Sequence, residues 1–162
     1  MVGFHGNLSV TACLGESVEA FEKQVRDSFN RQPFMSTIGA EMISVGFGSV
    51  EIGFLFNPRL TQQNGFVHAG AVTSILDSAC GYAALSVAPE GADVLTVEFK
   101  VNLLAPGVGE SFMARASVKR AGKRLAVCAA DAFAVRAGKE KLIATMLATI
   151  MNIDPKAAGS EG

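Results

Sequence analysis

The chain has 162 residues, a formal net charge of -1, 49% hydrophobic residues and 18% charged residues. That length suits one domain with its own core, the composition excludes disorder, and the near-neutral charge excludes a general nucleic-acid binder, which carries a basic excess. The cysteines Cys13, Cys80 and Cys128 stand far apart without CxxC or Cys/His spacing, which argues against a disulfide framework and a zinc site.

Residues 1–15 show no clean period and read as an arm, 16–153 as a single domain, and 154–162 as a small polar tail. Ser17 is placed to cap a helix whose stripe is Val18, Phe21, Val25 and Phe29, and Pro33 ends it. A short connector, Phe34 to Ile38, leads to two strands, Ala40 to Phe47 and Ser49 to Phe56. Val50, Ile52, Phe54 and Phe56 share one face of the second, opposite Glu51. A polar, glycine-marked loop from Arg59 to Val67 then enters a long helix that ends near Val87. Four strand-like segments follow: Val94 to Leu104, Glu110 to Lys119, Arg124 to Val135 and Lys141 to Ile153. In the first of these, Leu95, Val97, Phe99, Val101 and Leu103 alternate with polar residues. The order predicts an α+β fold in which a curved antiparallel sheet wraps a long central helix.

The central helix is apolar on nearly every side, as buried helices are. It nevertheless carries Asp77 in its middle, and Asp is rarely buried without a partner. At its start, Gly65 and Gly70 permit close backbone approach, and the first N–H groups, near Ala69 and Gly70, have no intrahelical partner. Such a terminus can stabilise an oxyanion. His68 with Gln62 or Asn64 adds polar groups at the mouth. The helical tilt of side chains points Asp77 back toward this end. A structural acid paired within the protein is the simpler reading of Asp77 taken alone, and a helix-start His commonly bonds local backbone. Phe34, Met35, Phe47 and Phe66 serve the core or line a pocket, with core the simpler role, and Tyr82 serves packing. Ser74 and Ser78 lack a nucleophile-elbow context. The apolar run from Ala69 to Leu85 is too short and too interrupted for a membrane span, and no signal peptide is evident, so a cytoplasmic location is expected.

The stretch Asn64-Gly65-Phe66-Val67-His68-Ala69-Gly70, the acid Asp77 and the strand Leu95 to Gly107 resemble the hotdog-fold acyl-CoA thioesterases, in the branch typified by phenylacetyl-CoA thioesterases. The resemblance covers roughly Ile38 to Asn152. In that family the loop ends in His-Gly-Gly, an acid follows nine residues after the His, and the next strand ends in Asn-x-x-x-Pro. His68 and Asp77, and Asn102 and Pro106, keep those spacings, while Ala69 replaces the first glycine. The resemblance implies that Asp77 is the catalytic nucleophile or general base and that the Ala69 N–H is the oxyanion donor. It implies that Gln62, with Asn64 as rival, orients thioester or water, and that Thr96, from a neighbouring subunit, holds the water. His68, Gly70 and Phe66 fall at substrate-binding positions. Arg120 and Arg124, in a hairpin that is otherwise a solvated turn, are candidates for the CoA phosphates.

The function so implied is hydrolysis of an acyl- or aryl-CoA to acid and CoA, without metal or redox cofactor. The partners implied are the acyl-CoA substrate and further copies of the chain, as a dimer assembled into a tetramer with the site between protomers, and neither nucleic acid nor a membrane. A hotdog hydratase or dehydratase is the first alternative; it lacks support, since no His-x-x-x-x-Pro-Gly run exists and His5 and His68 are the only histidines. A non-catalytic acyl-CoA-binding sensor is the second.

Overall fold

A computed structural model describes residues 21–89 and 91–154. The arm, the Ser17 cap and the tail beyond Asp154 lie outside those residues. Residues 21–30 are helical (α1), with Val25 and Phe29 of the expected stripe buried. Arg26 ties α1 to the sheet by donating to the Met42 carbonyl at 3.2 Å. The segment expected as a connector is instead a short helix, α2 (Pro33–Ile38). Proline at the first helical position starts a helix as readily as it ends the one before, because its missing N–H has no role there. Gly39, at φ 69, closes α2 in the left-handed conformation.

Six strands follow: β1 (Ala40–Gly46), β2 (Ser49–Leu55), β3 (Asp93–Leu103), β4 (Ser111–Ala121), β5 (Leu125–Arg136) and β6 (Lys139–Ile153). They form one antiparallel sheet in the order β1-β2-β4-β5-β6-β3. Between β2 and β3 a 3-10 turn, Pro58–Leu60, and the long helix α3, Ala69–Leu85, carry the chain beneath the sheet from one side to its far edge. This is the hotdog arrangement, a curved sheet around a central helix. Ile75, Leu76, Ala79, Cys80, Ala83 and Ala84 are fully buried, and the sheet covers them with Val50, Ile52, Phe112, Cys128 and Ile150. Val50, Ile52 and Phe54 share the buried face of β2 as expected, whereas Phe56 lies past the strand and is exposed. The C-terminus of α3 is anchored by Ser86, buried beneath the β1–β2 turn, which accepts from the Gly48 N–H at 2.8 Å and donates to the Ala83 carbonyl at 2.8 Å.

The alternation expected in β3 is broken. Thr96 pairs with Ile150 and Glu98 with Thr149, so Val97 is bulged out of register. A one-residue bulge reverses the faces beyond it. Leu95, paired with Met151, therefore lies on the outer face, while Phe99, Val101 and Leu103, paired with Ala148, Met146 and Ala144, lie on the helix side with Thr96. Leu95, Val97, Phe99 and Leu103 are between 44% and 57% exposed, along a strand that is hydrogen-bonded to β6 alone.

Candidate active site

The chain entering α3 is held at both ends of its loop. Val67 donates to the Gly107 carbonyl at 3.1 Å and His68 to the Leu60 carbonyl at 2.8 Å. Between them, Gln62 and Phe66 close a tight turn through Gln62 N–H to Phe66 O, 2.9 Å, with Gly65 at φ 82. Gly107 fits because a Cβ there would stand 3.2 Å from the Val67 Cβ. The Pro106-Gly107 end of the Asn102-x-x-x-Pro106 pattern thus serves as the seat of the loop.

His68 is the N-cap of α3, and its Nδ1 accepts from the Gly70 N–H at 2.8 Å. Its ring proton therefore sits on Nε2. Gly70 must be small, since a Cβ there would come within 3.0 Å of that Nδ1. The amides of Ala71 and Val72 are directed to the His68 carbonyl, at 3.0 and 3.5 Å. Of the first-turn donors, the Ala69 N–H alone has no partner among the described residues. It opens on a cavity of 670 Å³ between the loop and the exit of β3, lined by Gln62, Phe66, His68, Leu103 and Pro106 among others. Gln62 lines this cavity; Asn64 sits on the turn outside the lining, its N–H directed to the Gln62 Oε1 at 3.4 Å.

Asp77 lies elsewhere. It is half-buried and accepts from the Thr96 hydroxyl at 2.8 Å, within the same chain, at a second cavity of 350 Å³ between α1, α3 and the start of β3. This corrects one expectation. Thr96 stands beside Asp77 of its own chain rather than reaching in from a neighbour, because the crossover through α3 lays β3 alongside it. Nor does Asp77 reach the helix start: eight residues at 1.5 Å each separate it from Ala69 by roughly 12 Å along the axis. No side-chain tilt closes that gap. The described chain thus keeps two polar groups of residues apart, Gln62, His68 and Ala69 at one cavity and Asp77 with Thr96 at another.

Arg120 and Arg124 are exposed near the β4–β5 hairpin, at the end of the sheet opposite the Gln62–His68 loop, and line neither cavity. Met35 belongs to the core, but Phe34, Phe47 and Phe66 are exposed. Tyr82 packs edge-on against Phe29, as its packing role requires. Burial pushes the Cys128 thiol up to about 11 and the Cys80 thiol further still, so neither is a ready nucleophile. Sequence reading missed Gly81, one turn beyond Asp77 on the same cavity; a helix-interior glycine, which costs about 1 kcal/mol relative to alanine, was the available signal.

A six-stranded antiparallel sheet around a long central helix defines the hotdog class of proteins, and comparison with known proteins bears on the family. Residues 64–140 match the family model of the Thioesterase superfamily. An esterase-named protein of Saccharolobus solfataricus is 31% identical over 126 residues, covering 78% of this chain and 81% of that protein. The structure of a thioesterase family protein from Silicibacter pomeroyi superposes with a TM-score of 0.81 at 52% identity, covering 83% of this chain and 98% of the other. The E. coli PaaI protein, from a phenylacetic acid degradation operon, shares the fold at a TM-score of 0.75 and 19% identity, over 84% of this chain and 95% of its own. The chain belongs to the thioesterase superfamily, and the names its relatives carry, esterase and thioesterase, support a thioester or ester hydrolase in general. No helix among the described residues is long and apolar enough to cross a membrane.

Proposed function

We propose that the protein hydrolyses acyl-CoA thioesters, at a site completed between two copies of the chain. The observation that carries this reading is the division into half-sites. Attack on a thioester carbonyl needs a nucleophile or base and an oxyanion donor within about 3 Å of the same small group. Both parts are present, yet too far apart in one chain. Each borders β3 at a different end: Thr96 near its start, Leu103 near its exit. A two-fold pairing along the open edge of β3 lays the start of one strand against the exit of the other. That brings Asp77 and Thr96 of one copy toward Gln62, His68 and Ala69 of the next.

In the mechanism, the Ala69 N–H receives the carbonyl oxygen as it gains charge, and Gln62 fixes the thioester. Asp77 either attacks the carbonyl carbon, expelling CoA to leave a mixed anhydride that water then cleaves, or takes a proton from the water that attacks directly. Thr96 holds that carboxylate in place through its hydroxyl. CoA leaves as the thiol and the acyl group as the acid, with no call for metal or redox cofactor. The methyl of Ala69 does not remove its N–H, so the departure from His-Gly-Gly preserves the donor.

The test uses two inactivating variants. Asp77→Ala removes the carboxylate. Ala69→Pro removes the N–H, and proline is tolerated at this first helical position because His68 before it is already extended, at ψ 137. Each variant alone is expected to lose roughly 100-fold or more of thiol release with its fold intact. Unfolded and refolded together in equal amounts, they are expected to regain about a quarter of wild-type activity, since half the dimers are mixed and each has one intact site of two. Absence of recovery would overturn the shared site, and full activity of Asp77→Ala would overturn the role of the acid.

A further inference from the structure

The cavity beside Asp77 carries information about the acyl group that the reaction itself leaves open. Its walls are polar to an unusual degree for an acyl pocket. Ser28 and Tyr82 bring hydroxyls, Gln32 an amide, and Asp93 a second carboxylate facing the same space as Asp77. No Lys, Arg or His lines it; Arg31 acts on Tyr82 only through space. The Gln32 side-chain oxygen is buried with no hydrogen-bond partner among the described residues, a state that native structures seldom leave uncompensated. Rotation about the soft last torsion of that amide turns either its oxygen or its nitrogen toward the cavity.

Gly81 sits on the wall one helical turn after Asp77, and a Cβ built there would meet nothing within 4 Å. No close approach of backbone or side chain demands a glycine. What its absent side chain leaves is space, on the face of α3 that Asp77 shares.

We propose that this cavity receives the acyl group, that Gly81 sets its width, and that it selects a compact, uncharged acyl group bearing a hydroxyl over a long alkyl chain or one ending in a carboxylate. The inference rests on the thioester-hydrolase reading. A hydroxyl on the acyl group finds the Gln32 amide and the hydrogen-bonded Ser28–Tyr82 hydroxyl pair. A terminal carboxylate meets Asp93 with no Lys, Arg or His on the wall to pair with it, Arg31 acting only through space. A long alkyl chain strips water from hydroxyl and amide groups without replacing their hydrogen bonds.

Three CoA esters of equal chain length separate these effects: hexanoyl, 6-hydroxyhexanoyl and adipoyl. Six carbons span about one helical turn, the step from Asp77 to Gly81. With acetyl- and palmitoyl-CoA as size limits, thiol release by the wild type is expected to rank 6-hydroxyhexanoyl first, with adipoyl and palmitoyl at least about 10-fold lower in kcat/KM. Gly81→Leu is expected to lower the hexanoyl-to-acetyl ratio by about 10-fold or more, and Gly81→Ala by a smaller factor in the same direction. Gly81→Ala also guards against misfolding of the larger variant, since alanine in a helix should raise Tm. Gln32→Leu is expected to narrow the preference for 6-hydroxyhexanoyl over hexanoyl. Hydrolysis that favours palmitoyl or adipoyl, or a Gly81→Ala enzyme with unaltered ratios, overturns this inference and leaves the hydrolase reading standing. No thiol release from any of the five esters overturns both.

Discussion

An acid in the middle of an apolar helix is legible without any structure, because the helix has no other reason to carry one. Its partner is not. Asp77 and Thr96 are joined by a 2.8 Å hydrogen bond that depends on where β3 lies in the sheet, and nothing local to either residue announces it. The same holds for the Ala69 N–H: its exposure follows from His68 taking the next amide with its ring and the following two with its carbonyl. A hydrogen bond to a charged group contributes about 1.5–3 kcal/mol. Thr96→Ala is therefore expected to lower kcat by about tenfold or more, with KM changing by less than about twofold, because the hydroxyl positions the carboxylate rather than holding substrate. Steady-state kinetics on one acyl-CoA checks this, and a rise in KM at constant kcat would contradict it.

At the scale of elements, burial pattern and period locate α3, β2 and the four later strands to within a few residues. The exceptions have physical causes. Pro33 reads as a terminator, yet it also begins α2. The bulge at Val97 is invisible because Leu95, Val97 and Phe99 alternate as a regular strand would, and only the pairing with β6 shows that the faces reverse. Ser86 is likewise silent in sequence, though it joins the end of α3 to the β1–β2 turn. Replacing it with alanine leaves the half-buried Gly48 N–H without its acceptor, which should destabilise the fold by about 1 kcal/mol. Denaturant unfolding of Ser86→Ala measures this, and an unchanged midpoint would show that the contact contributes nothing.

At the scale of the whole molecule, the sheet ends in β1 on one side and β3 on the other. The edge at β3 offers an unpaired row of backbone groups beside the exposed Val97, Phe99 and Leu103. Isolated strands of this kind invite pairing, and a lysine on such an edge is an effective block. Val97→Lys is expected to give monomers in light scattering at micromolar concentration and to lose hydrolysis, while near-native circular dichroism shows that the domain still folds. A monomeric variant with full activity would separate assembly from catalysis.

The loop before α3 has a further consequence through its anchoring. Loops that carry chemistry are commonly lids, which open, close and set the pace of turnover. Here Val67 is bonded to Gly107, His68 to Leu60 and Gln62 to Phe66, so the segment is stitched into the frame on both flanks. In the proposed mechanism, an oxyanion donor mounted this way is already aimed before any ester arrives, and no reorganisation accompanies the chemical step. In the proposed two-copy enzyme the mounting also ties timing to assembly: with the loop stitched in place, entry and exit of CoA would fall to the seam between copies.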